Sequence, residues 1–194
     1  MKKLFFIVIT LLIFNNLQAQ QRFKGALVAG MNVSQIDGDF LIGFNKYGFN
    51  AGAQVSTVFT ERWEMSVELL YSQRGSDRNR NDGPIIEYSR IGLNYVEVPV
   101  MLHFIDWKFH FTGGFAYHRL INFEALNQMS EDITEQQNYR EDNFGITLGA
   151  TYFATEHIGF DLRWSRSLLD LQVVNNRAIK WAEKWITVRA IYVF

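Results

Sequence analysis

Cysteine is absent from the 194-residue chain, so no disulfide can contribute to its stability. Proline occurs only twice, at Pro84 and Pro99, which leaves long stretches free to form unbroken hydrogen-bonded ladders. Charge of one sign is lacking as well: 19 Lys and Arg stand against 20 Asp and Glu. That balance argues against a nucleic-acid partner, which calls for a basic face. Beyond the first residues, no apolar run approaches the about 20 residues a helix needs to cross a bilayer. Any crossing of a membrane must therefore be made by strands.

The N-terminus has the grammar of export. Met1-Lys2-Lys3 precedes the apolar run Leu4–Phe14, and Asn15-Asn16-Leu17-Gln18-Ala19 ends on a small residue. This pattern predicts a signal peptide over 1–19, cleaved after Ala19, and a single mature domain over 20–194. Loss of Lys2 and Lys3 leaves 17 basic against 20 acidic residues, a net charge of −3.

Aromatic residues are abundant, at 15%, and most of the chain alternates with period two, the pattern of strands with one apolar face. Leu27, Ala29, Met31 and Val33 oppose Gly30 and Asn32 in the first run. Tyr47, Phe49, Ala51, Ala53 and Val55 oppose Asn50, Gln54 and Ser56 in the second. Trp63, Met65, Val67, Leu69 and Tyr71 oppose Glu64, Ser66, Glu68 and Ser72 in the third. Val96, Val98, Val100 and Leu102 oppose Tyr95, Glu97, Pro99 and His103 in the fourth. Four further runs start at Trp107, Asn143, Ile158 and Ile186, making eight strands of about the 9–11 residues a tilted membrane strand requires.

The connections alternate in length. Tight turns are predicted at Glu61-Arg62, Ile105-Asp106 and Ala154-Thr155-Glu156, and long polar loops at 35–46, 76–87, 122–141 and 169–183. Short turns at one rim and long loops at the other fit periplasmic turns and extracellular loops, with both termini periplasmic. A soluble eight-stranded barrel would alternate too, with its apolar face inward. Here the apolar face carries rings near the strand ends (Tyr47, Trp63, Tyr71, Trp107, Tyr117, Trp164), as lipid-facing girdles do. The opposite face mixes charges with glycines, which suits a narrow filled interior. The predicted fold is all-β: an eight-stranded antiparallel transmembrane β-barrel of up-and-down order, integral to a bacterial outer membrane. Tyr192 and the terminal Phe194 are read as the signal through which barrel-assembly machinery recognises the last strand.

Several segments resemble one family. Glu68-Leu69-Leu70-Tyr71-Ser72-Gln73-Arg74-Gly75 is similar to the third-strand signature of the PorT-type outer-membrane barrels of Bacteroidetes. Leu93-Asn94-Tyr95-Val96-Glu97-Val98-Pro99-Val100 resembles that family's Tyr-x-Glu-x-Pro fourth strand. Gly113-Gly114, Phe144-Gly145 with Gly149, and Asp161-Leu162-Arg163-Trp164 fall where the family has similar elements. The resemblance implies a small outer-membrane barrel. It also raises secretion-system proteins as partners, because the namesake takes part in protein export across the outer membrane.

The candidate site is a lumen charge network. Glu68, Glu97, Asp161, Arg163 and Arg189 share the polar face, where enclosed charges must find partners. Parity suggests that Glu97 meets Arg163 or Arg189. No catalytic set, metal site or cofactor is expected: His110 and His118 are eight residues apart, roughly 25 Å along a strand, too far to share a metal. The run Asp77–Gly83 lacks the Gly and Glu of a calcium loop, with Asp82 and Tyr88 at those places. The expectation is a non-enzymatic barrel that binds or acts structurally through its loops, among outer-membrane lipid. The alternatives are a secretion-system subunit and a membrane hydrolase seeded by His118 with a loop acid such as Glu124.

Overall fold

The computed structural model describes residues 23–41, 43–79, 82, 88–173 and 180–194, so the predicted signal peptide lies outside the described residues. Eight strands follow one another: β1 (Phe23–Asp37), β2 (Lys46–Thr60), β3 (Trp63–Asp77), β4 (Tyr88–Asp106), β5 (Phe109–Asn127), β6 (Asp142–Phe153), β7 (Ile158–Ser167) and β8 (Ala182–Val193). Each pairs antiparallel with its neighbour in sequence, and β8 closes on β1. Closure leaves no open edge, so every strand finds its ladder partners within the molecule.

The two faces sort as the alternation requires. Leu27, Met31, Phe49, Leu69, Phe115 and Leu162 are exposed outward, whereas Asn32, Ser66, Glu68, Ser72, Thr147 and Arg163 are buried inward. The apolar surface is thus the outside of the molecule. Tight curvature explains some inward glycines. At Gly114 a Cβ would stand 2.1 Å from the Val100 carbonyl oxygen. Gly75 combines φ +141 with a Cβ position 1.9 Å from the Ile91 carbonyl oxygen, so both backbone and space exclude a side chain.

Several boundaries differ from the sequence reading, two of them at β4 and β5. The β4–β5 turn falls at Trp107-Lys108 rather than Ile105-Asp106. Trp107 takes a left-handed φ of 56 and is the most exposed of the outward rings near the turns, at 78%, instead of beginning the fifth strand. Second, β4 and β5 run for 19 residues each: β4 starts at Tyr88, well before the alternating run at Tyr95, and β5 reaches Asn127, past the loop border expected at 122. Register shifts at Asn94/Tyr95 and Tyr88/Arg90 interrupt the period there. Past them the inward residues turn apolar, so polar-in alternation no longer marks the strand.

Those long tips build a cap. Tyr88, Ile91, Leu93, Tyr95 and Leu120 from β4 and β5 pack with Ile36, Tyr139, Leu171 and Trp181 into a buried cluster at the loop end. Tyr88 and Trp181 meet edge to face at 5.5 Å. Backbone bonds bind the loops to one another: Arg140 N donates to Leu171 O at 2.6 Å and Leu171 N to Trp181 O at 2.9 Å. Asp39 lies buried in the β1–β2 loop, its Oδ1 accepting from Leu41 N at 2.9 Å. Burial lifts its carboxyl to about 6.

Candidate functional site

Strand parity carries charged side chains into the bore, where they form two layers. In the layer nearer the turns, Arg163 on β7 holds Glu68 on β3 with two bonds, Nη2–Oε1 at 2.8 Å and Nη1–Oε2 at 3.1 Å. Arg189 on β8 adds Nη2–Oε1 of Glu68 at 2.9 Å and Nε–Oδ2 of Asp161 at 2.7 Å. Arg163 Nε stands 2.7 Å from the same Asp161 oxygen, and Thr151 donates to Asp161 Oδ1 at 2.8 Å. Two acids and two bases thus neutralise one another, all nearly sealed from solvent. A buried group of charges persists only when paired this completely.

Glu97 is not part of that layer. It faces Arg74 of β3, whose Nη2 lies 3.3 Å from Glu97 Oε1 and 3.6 Å from Glu183 Oε2. The expected partnership of Glu97 with Arg163 or Arg189 is therefore corrected: Leu70 is the cross-strand partner of Glu97, and Arg74, four residues farther along β3, reaches it with its side chain. The Arg74 guanidinium is sandwiched by two rings, its Cζ 3.7 Å from the Trp185 centroid and 4.1 Å from that of Tyr95. Ring faces attract a desolvated cation strongly. Tyr95 donates its hydroxyl to Glu183, and His118 Nδ1 lies 3.8 Å from Glu97 Oε1. A cavity of about 20 Å³ separates the two layers, lined by Glu97, Asn50, Arg163 and Arg189 among others. That is room for about one water.

Sequence reasoning missed Arg74, Glu183 and Trp185. Arg74 shares the even parity of Glu68 and Ser72, so extending the third strand by one step would have found it. Glu183 and Trp185 share the parity of Thr187 and Arg189 but lie before the assumed start of the last strand.

The hydrolase seed does not assemble. His118 is buried in the upper layer beside Glu97, whereas Glu124 is exposed on the tip of β5. A different pair does meet: Ser66 Oγ lies 2.7 Å from His103 Nε2, with Glu64 opposite His103 in the β3–β4 register. Ser66 is 1% exposed, which shuts its hydroxyl away from any substrate in solution. Asp77, at the head of the half-matching calcium run, is occupied by Arg90 Nε at 3.0 Å and Lys46 Nζ at 3.4 Å.

Each end of the bore has its own cavity. At the turn end a vestibule of about 670 Å³ opens between Lys24, Gln54, Glu64, His110, Trp107 and Phe153. At the loop end, clefts of about 350 and 500 Å³ flank the cap, one beside Asn122 and Gln137, the other beside Asn45 and Arg78. Tyr192 and Phe194 point outward on the closing strand, and Phe194 N donates to Gly25 O at 3.0 Å.

Solved structures share this architecture at low identity. The chain is similar to Ail, the attachment invasion locus protein of Yersinia pestis, at 15% identity and a TM-score of 0.54, covering 90% of this chain and 100% of that one. Neisserial surface protein A is similar at 10% identity and a TM-score of 0.55, covering 89% of this chain and 97% of that one. No curated protein matches. The family model for the outer membrane protein beta-barrel domain matches residues 15–172. Closed strand order, an apolar exterior and that match together place the chain: it belongs to the outer membrane protein beta-barrel domain family and is a β-barrel of the bacterial outer membrane.

Proposed function

We propose that the protein is a non-catalytic barrel whose bore is closed and whose work is binding at the loop end, with the turns and both termini in the periplasm. The observation that carries this reading is the cap. Loops of a mere membrane filler have no need of a shared core, yet here Trp181, Tyr139, Leu171 and the tips of β4 and β5 bury one another. An ordered cap presents fixed clefts to the outside, and two charged layers beneath it cross the bore. Outer-membrane lipid surrounds the apolar face, and the exposed rings of Tyr192 on β8 and of Phe194 just after it suit recognition by the barrel-assembly machinery.

The segments resembling PorT-type barrels suggest a secretion-system subunit as a second reading. Tyr71, Phe144 and Trp164 of those segments face outward, but the charged residues all turn inward, Arg74 and Glu97 with Tyr95 to the upper layer and Glu68, Asp161 and Arg163 to the lower. They account for a shared interior more readily than for a shared partner. Cross-linking in intact cells from cysteines placed at the exposed Met129 and Val173 tests both readings. Capture of an extracellular ligand or a surface protein supports loop-end binding. Capture of secretion-machine components in its place supports the second reading.

A further inference from the structure

The turn-end vestibule is too well furnished to be a gap left by short turns. Its volume, about 670 Å³, is in the range of small-molecule sites. Its walls mix apolar with polar and charged residues. Ala26, Phe153, Ile191 and Val193 supply an apolar side, and Trp107 stands at the mouth.

Glu64 and Gln54 also line it, and each carries a buried acceptor, Glu64 Oε2 and Gln54 Oε1, with no hydrogen-bond partner among the described residues. Glu64 is 5% and Gln54 8% exposed, so both have given up most of their water. Buried acceptors left in this way are costly, and the deficit is made up by whatever brings donors. The nearest cation, Lys24 Nζ, is 3.8 Å from Glu64 Oε2, beyond hydrogen-bond reach, and its side chain is 48% exposed. Lys24 therefore holds the carboxylate loosely and can be displaced.

From these observations we propose that the vestibule binds a small organic amine with an apolar body. The ammonium replaces Lys24 at Glu64, and the body lies against Phe153 and Ile191. The orientation proposed above puts this site on the periplasmic side, but the chemistry of the site does not depend on that orientation.

Tyramine is a suitable probe, having an ammonium and a ring. Titration into the folded barrel isolated in detergent, followed by calorimetry and by Trp fluorescence, should show saturable binding at one site. Glu64→Gln should weaken it about tenfold or more, the worth of one hydrogen bond to a charged group. Lys24→Met should tighten it, because the internal competitor is gone. A purely structural Lys24–Glu64 contact would give no such opposite responses. Heat-modifiable gel migration checks that each variant is folded. Equal binding of the neutral N-acetyltyramine or the anionic 4-hydroxyphenylacetate would overturn the proposal. So would wild-type affinity in Glu64→Gln, or the absence of binding to folded wild-type protein.

Discussion

Glu68 is the residue on which most of the interior depends, since Arg163 and Arg189 both lean on it. Removing one partner of a buried pair costs about 3–5 kcal/mol, so Glu68→Ala should lower the urea-unfolding midpoint markedly. A double-mutant cycle can separate the layers. Glu68→Ala with Arg163→Ala should be strongly non-additive, whereas Glu97→Ala with Arg163→Ala, which share only the small cavity between the layers, should be much closer to additive. The sequence shows that these side chains face inward, because parity alone settles that. Which acid meets which base is a matter of register, and no local pattern reports it. A second test concerns Asp39, whose carboxyl is raised by burial from its ordinary value of 3.8 to about 6. The closed loop keeps its proton where the open loop has lost it. Opening therefore releases a proton between these values, and the loop loses stability as pH rises from about 4 to about 6. Protection of the Leu41 amide, its exchange measured against the intrinsic base-catalysed rate, should fall over that interval, and Asp39→Asn should remove the fall.

At the scale of elements, the outward alternation of all eight strands is readable from residue types, since a strand with one apolar face needs period two. The cap is not readable in the same way. It forms where β4 and β5 leave the period through irregular pairing and where apolar residues turn inward, so a rule of polar interior ends the strands early. Trp181 follows no alternating run and so falls in an expected loop, yet it is only 1% exposed. Trp181→Ala should cost about 3–5 kcal/mol as a large-to-small core change. It should loosen the loop end while leaving the barrel folded, a separation that hydrogen exchange can resolve by region. Orientation is an element-scale matter too. Trypsin added to intact cells should cut at the exposed Arg78 beyond β3 and spare Arg62 in the β2–β3 turn. Cleavage at Arg62 would reverse the proposed orientation.

At the scale of the whole molecule, the account rests on an inside-out arrangement: apolar surface outward to lipid, charge sealed within. A soluble barrel with the same strand count would present the opposite phase, so phase is the quantity to measure. The absence of cysteine makes this direct, because each introduced cysteine is unique in the chain. Single cysteines from Ser66 to Tyr71 on β3 carry spin labels, and the barrel is placed in lipid vesicles. Accessibility to oxygen dissolved in the bilayer should oscillate with period two. It should peak at Val67, Leu69 and Tyr71, the outward positions, and fall at Ser66, Glu68 and Leu70. The opposite phase, or no oscillation at all, would contradict the account.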